Sequence, residues 1–241
     1  MRRQDDTGVV MRLPDLPQRD RMQLRAAWAD AVGVPVTAFD GEGVTWVERD
    51  DLDSVVVIEL GAAMVVAAPR SALIALETHH RVTLRDAAAV AALLPGSRVL
   101  GSAHLLFTGT RPAAPSHGVV PGEDRDLALV REAVDSDEWA EAGVEPMEHH
   151  WAVREGREPV SVAGFQRWHT TIAHLGVATA ARRRGRGYAS AAATGAVCAA
   201  IDAGLVAQWR CRTGNAASLR VADRLGFTRV GAQAAVALAA R

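Results

Sequence analysis

Arg182-Arg183-Arg184-Gly185-Arg186-Gly187-Tyr188 lies between an apolar run, Ile172 to Ala178, and a stretch of almost nothing but small residues, Ala189 to Ile201. Apolar alternation into Val177 predicts a strand, and the Ala-rich stretch predicts a helix slim enough to approach a sheet closely. Two glycines in the connection allow the backbone to turn its N–H groups inward at the helix N-terminus, where unpaired donors and the positive end of the helix dipole favour phosphate. Four arginines in five residues add formal charge. A solvated basic loop is the plainer reading of such a cluster. The immediate succession of strand, basic glycine loop and helix favours an anion cradle.

Working outward, 241 residues suffice for one large domain or two modest ones, and 49% hydrophobic residues supply a core. All 27 basic residues are arginine, which excludes lysine chemistry. A net charge of -1 argues against nucleic acid or an anionic membrane as the main partner, since both reward a strong positive field. Cys198 and Cys211 are too few for a disulfide framework, which fits a cytoplasmic protein. Met1 to Asp6 leads into no continuous apolar region, so no signal peptide is expected, and Ala189 to Ile201 is too short to span a bilayer. The adjacent pairs His79-His80 and His149-His150 point to opposite faces if extended, and no metal is expected.

Along the chain, Arg19 to Val32 reads as an amphipathic helix stopped by Gly33 and Pro35, and Val36 to Phe39 with Val44 to Val47 as short strands about a turn at 40–43. Ser54 to Leu60 and Ala62 to Ala68 read as buried strands joined at Gly61. Helices are expected from Pro69 to Thr78 and from Arg85 to Leu94, then a strand from Arg98 to Phe107. Thr108 to Pro121, rich in Gly and Pro, has linker composition and sets an expected boundary between residues 1–110 and 111–241. Beyond it come helices at Asp124 to Val134 and after Asp135, three antiparallel strands at His149 to Arg154, Pro159 to Trp168 and Thr170 to Ala178, and the loop. After the small-residue helix, Val206 to Arg212 reads as a strand, Asn215 to Leu225 as a helix and Thr228 to Leu238 as a final strand. The fold class is α/β with a mixed sheet.

Residues 117 to 241 resemble the GNAT family of acyl-CoA-dependent N-acetyltransferases. Arg182 to Gly187 matches that family's pyrophosphate loop, and Asn215 to Ser218 running into Val221 to Phe227 is similar to its later helix and Gly-Phe exit. The resemblance implies acetyl-CoA as cosubstrate, its pyrophosphate held at Arg182, Arg183, Arg184, Gly185, Arg186, Gly187 and Tyr188. It implies a pantetheine cleft where the strand ending at Val177 and Ala178 parts from the strand around Trp209. The N–H at Val177 would polarise the thioester carbonyl, and Asn215 would contact the cofactor arm as well as cap its helix.

Transfer to an amine requires a base, because only the neutral nitrogen attacks. Where many relatives carry Glu, this chain has Thr171-Ile172-Ala173-His174, which makes His174 the candidate catalytic base. His169, Glu145, Glu148, His149 and His150 are rivals, and a water relay is a further route. The tyrosine that family members commonly use to protonate the thiolate is replaced by Ala222. A thiol pKa near ~8.5 lets CoA leave with little help. Cys198 and Cys211 sit in no triad and are given no role, and Trp168 and Trp209 read as core. The expected function is acetyl transfer from acetyl-CoA to an amine of a small molecule or peptide. The alternative is a noncatalytic acetyl-CoA-binding module. For residues 1–110 the element order allows a smaller α/β region, even a degenerate copy of the same fold, that shapes the acceptor site. A homodimer completed through the last strand is a further expectation.

Overall fold

The computed structural model describes residues 16–239; the segment Met1 to Asp6, read above for a targeting signal, lies outside them. Helix α1 (Gln18–Val32) ends at Gly33, which takes the left-handed conformation and returns its N–H to carbonyls of the last turn. Strand β1 (Gly43–Glu48) is followed by the hairpin β2 (Ser54–Leu60) and β3 (Ala63–Ala68), hinged at Gly61. Three short helices follow, α2 (Arg70–Leu76), α3 (Arg81–Leu84) and α4 (Ala87–Ala92), and then strand β4 (Arg98–Thr108). The remainder runs β5 (Val120–Pro121), α5 (Asp124–Glu132), α6 (Ser136–Ala142), β6 (His149–Glu155), β7 (Glu158–Trp168), β8 (Ile172–Thr179), α7 (Tyr188–Asp202), β9 (Val206–Arg212), α8 (Ala216–Arg224) and β10 (Thr228–Ala237).

Two expectations need correction. Val36–Phe39 is a turn of 3-10 helix, not a strand: Pro35 opens it and the Ala38 and Asp40 amides close onto the carbonyls of Pro35 and Thr37. The helix expected from Arg85 to Leu94 is shorter, Ala87–Ala92, because the Asp86 carboxylate accepts the Ala88 N–H and starts α4 there, while Arg85 closes the separate turn α3.

Among the described residues, ten strands join one mixed sheet in the order β1-β3-β2-β10-β4-β9-β8-β7-β6-β5. Only β1 with β3 and β8 with β9 are parallel. The residues before and after position 110 share this sheet, since β4 lies between β10 and β9. Strand β10 is internal, paired with β2 on one side and β4 on the other, so it offers no free edge for a second copy.

Alternation along the strands sorts the core onto two faces. One face carries α1, with Leu24 and Trp28 packed on Leu105, Phe107, Ile172 and Val206. The same face carries α5 and α6, whose Val130 and Trp139 meet Val162 and Ala178. The other face carries α7 and α8 over Leu106, Ala173, Leu175 and Trp209. Toward the β1 end it also carries α2 to α4 over Val57, Val66 and Val236.

Candidate functional site

The site is made by two strands that begin as neighbours and then separate. Strands β8 and β9 pair only at Ile172 with Val206, Ala173 with Ala207 and His174 with Gln208. Beyond that rung β8 stays with β7 as far as Thr179, whereas β9 follows β4 as far as Arg212. Trp209 holds β9 in that course: its ring meets Phe227 edge-on at 5.6 Å and its Nε1–H donates to the Ser218 hydroxyl of α8 at 2.9 Å. The gap is a cleft of about 500 Å³, walled by β8 from His174 to Thr179, by Trp209 to Cys211, by α6 and by α8. It reaches the loop at Arg183 to Gly185 and the first residues of α7.

At that end two glycines set the course of the backbone. Gly185 and Gly187 have φ of 78° and 86°, a conformation other residues adopt only with strain. A Cβ at Gly185 would meet nothing within 4 Å, so conformation, not crowding, calls for glycine there. Gly187 is the N-cap of α7 and brings no side-chain cap, so the first-turn N–H groups are of the kind that can receive an anion. The arginine side chains are largely engaged elsewhere. Arg183 pairs with Glu155 at 2.6 Å and Glu158 at 3.1 Å, and Arg186 lies 3.6 Å from Glu155. Arg184 forms two hydrogen bonds with Glu138 of α6, at 2.5 and 3.1 Å. Arg182 lines a separate hollow beside Glu132 to Asp135. The carboxylates thus brace the loop, and the cradle that remains is backbone. Those N–H groups at one end, and a cleft running from them to His174, fit a diphosphate with a neutral arm, as acetyl-CoA would supply.

Tyr188 is a brace too. Its ring is buried in the α7 core and meets the His117 ring at a tilt of 55°, 4.5 Å between centres, while its hydroxyl donates to Glu155. That bond raises the phenol pKa and lowers that of Glu155.

Of the expected residues, His174, Val177, Ala178, Arg183, Arg184, Gly185, Gly187, Tyr188 and Asn215 all line the cleft, and Arg182 and Arg186 do not. Asn215 caps α8 by accepting the Ser218 N–H at 3.0 Å and reaches Glu141 at 3.3 Å. The rival bases lie off the cleft. Glu145 is held by Arg131 at 2.7 Å and by the Trp139 indole, and His169 by Asp30 at 2.6 Å. His150 bonds the Val144 carbonyl at 3.0 Å, and Glu148 and His149 are outside the lining. Ala222 is fully buried, and α8 presents Ser218 and Val221 to the cleft instead.

Burial, with the nearby Arg210 charge second, pushes the His174 pKa down to about 4, so the ring is neutral near pH 7. Its Nδ1 lies 3.1 Å from Gln208 Nε2, and the buried Gln208 Oε1 has no hydrogen-bond partner. In this orientation the amide donates to Nδ1 and leaves an N–H on Nε2. Reversing the amide would pair Oε1 with Nδ1–H and leave Nε2 its lone pair, as a base requires. Gln208, Arg210, Glu138 and Glu141 escaped the sequence reading. A polar residue on a strand carries no local mark of what the neighbouring strand brings opposite it. Among the described residues no group of three or more His, Cys, Asp or Glu could hold a metal, and no helix is long and apolar enough to cross a membrane.

Solved structures with similar folds include a protein assigned to the GNAT acetyltransferases in Novosphingobium aromaticivorans, 23% identical, covering 61% of this chain and 69% of that one at a TM-score of 0.45. Another is a GCN5-related N-acetyltransferase of Kribbella flavida, 18% identical, with 64% of each chain covered and a TM-score of 0.47. A GCN5-related N-acetyltransferase-like protein of Streptococcus suis is 17% identical and covers 88% of this chain and 97% of that one, at a TM-score of 0.44. Likenesses at this level carry no argument. No curated protein matches the chain. A family model for the acetyltransferase (GNAT) domain matches residues 81–228, well over half of the 241. The chain therefore belongs to the GNAT acetyltransferase family.

Proposed function

We propose that the protein is an acetyl-CoA-dependent N-acetyltransferase of the cytoplasm, acting on an amine of a small molecule or peptide by direct attack in a ternary complex. The observation that carries this reading is the cleft between β8 and β9, which runs from the Gly185 and Gly187 backbone to His174. In the reaction the amine nitrogen bonds to the thioester carbon, the C–S bond breaks, and one proton leaves the nitrogen while the sulfur departs as thiolate. The Gly185 to Tyr188 backbone holds the diphosphate. The N–H at Val177 meets the charge that develops on the carbonyl oxygen. With the Gln208 amide reversed so that its oxygen accepts the Nδ1–H, His174, neutral at pH 7, takes the proton through Nε2. Residues before position 111 form the domain that shapes the acceptor side, because α1 packs on the same face of the sheet as His174.

A second reading, a noncatalytic acetyl-CoA-binding module, draws on Ala222, which puts no acid at the leaving sulfur. Calorimetric titration with acetyl-CoA separates the cradle from its absence: micromolar binding lost in Gly185→Asp and Gly187→Asp supports it. Thiol release with a panel of amines then separates enzyme from binding module. A folded wild type that does not bind acetyl-CoA defeats both readings.

A further inference from the structure

The charges lining the cleft are unevenly satisfied. Glu138 is engaged by Arg184, and Glu141 by Arg212 at 3.6 Å and by the Asn215 amide. Arg210 also lines the cleft, yet among the described residues its side chain has no ion pair and no hydrogen bond. Arg210 is an exposed residue on the wall of the cleft whose pKa is lowered by partial desolvation, and its guanidinium, which keeps its proton, has no counter-charge. Arginine so placed gains most from an oxyanion, which it can grip through two parallel N–H bonds.

Its position identifies whose oxyanion this would be. Gln208 and Arg210 are two apart on β9 and share a face, while Trp209 and Cys211 point to the opposite face, into the α7 and α8 core. The last rung between the parting strands joins Gln208 to His174, so Arg210 begins about 7 Å along the strand from the proposed base. The diphosphate cradle lies elsewhere, beyond Thr179 at the start of α7, a helix packed against the opposite face. The pantetheine arm that would span the middle of the cleft is uncharged. A cofactor phosphate in the cradle is therefore remote from Arg210, whereas an acceptor presenting its nitrogen to His174 is beside it.

We infer that Arg210 is a specificity residue for an acceptor that carries an anionic group, a carboxylate or a phosphate, within a few bonds of the nitrogen to be acetylated. The substrate class is thus amino acids, short amino-terminal peptides or phosphorylated amines, not simple alkylamines or polyamines. This rests on the acetyltransferase reading, and its test is built to fail separately from it.

The experiment uses the full chain with matched amines: glycine and glycinamide, β-alanine and β-alaninamide, O-phosphoethanolamine and ethanolamine. Rates of CoA release are measured for wild type, Arg210→Ala and Arg210→Lys. In parallel, calorimetry with CoA present measures binding of the N-acetylated acids and phosphate against their neutral partners. The expected result is at least a ~10-fold higher kcat/KM, and matching tighter binding, for the anionic member of one or more pairs. In Arg210→Ala that ratio falls toward one through the acceptor KM, with a smaller change in the KM for acetyl-CoA, and Arg210→Lys restores part of it. The carboxylate and phosphate pairs tell the two sources apart. Anion-dependent binding through Arg210 without any transfer would remove the enzyme reading and leave this inference standing. Equal use or equal binding of anionic and neutral members, a preference that survives Arg210→Ala, a loss confined to acetyl-CoA, or no binding of any anionic probe would overturn it.

Discussion

Protonating His174 would place a second cation near Arg210 in a poorly hydrated site, and burial with that charge keeps its pKa down to about 4. The unfolded ring titrates near ~6.5. Between these values the unfolded chain binds more protons than the folded one, so stability rises with pH across the window. It is fully present above about 6.5 and is lost as pH falls toward 4, by at most about 3 kcal/mol. A His174→Gln variant lacks this slope. Urea unfolding at pH 7, 5.5 and 4.5 should show the wild-type advantage shrinking as pH falls, and parallel curves for the two proteins would contradict it. His174 was readable in the sequence as the nearest titratable side chain to the loop. Its partner was not, since Gln208 is 34 positions away and only the last rung of a three-rung parallel pair brings the two together. Arg210 was hidden for the same reason.

Elements were legible where local chemistry sets their limits. Strands 54–60 and 206–212 end where predicted, because runs of apolar residues meet Gly61 and Gly214, and Gly33 and Gly143 stop α1 and α6. The glycine turns of the loop were legible too, since Gly185 and Gly187 take left-handed φ and are needed for backbone reasons alone. Gly185→Ala forces a left-handed φ on a residue with ample room, so the expected cost to stability is about 1 kcal/mol. Acetyl-CoA affinity falls about tenfold as the N–H groups turn aside, which calorimetry on the still-folded variant would read. The approach of α6 to the sheet was not legible. Gly164 and Gly176 face each other across β7 and β8, and Met147 fills the notch they leave. A Cβ on Gly176 would lie 2.3 Å from the Ala142 carbonyl oxygen at the end of α6. Since that obstacle is backbone, Gly176→Ala must displace the helix, at about 2 kcal/mol. It also shifts Glu138 and Glu141 at the cleft. Thermal unfolding and the acceptor KM should both worsen, and an unchanged melting temperature would show that α6 is not seated on this glycine.

At the scale of the molecule, the pairing of strands distant in sequence decides what can fold alone. Composition placed a boundary at 110, where Thr108 to Pro121 is rich in Gly and Pro, and nothing local to β4 says which strands it will join. Yet β10 has only two partners, β2 and β4, and both precede residue 111. Strand β9 pairs with β4 over six residues, Ala207 to Arg212, but with β8 over three. A fragment of residues 111–241 therefore keeps the cradle, α7 and the β5 to β8 strands while leaving β10 with no sheet to join and β9 held at three rungs. Exposed, apolar strand edges of this kind favour aggregation over a native fold. Residues 81–241 regain β4, and with it both the β9 and β10 ladders, although the β2 side of β10 stays open. The expected order of cooperative urea unfolding, followed by circular dichroism, is full chain, then 81–241, with no cooperative transition for 111–241. Acetyl-CoA titration should follow the same order, because the far wall of the cleft is Trp209 to Cys211 on β9. A 111–241 fragment that unfolds cooperatively and binds acetyl-CoA as the full chain does would show that β8, α7 and α8 hold the cleft open without β4.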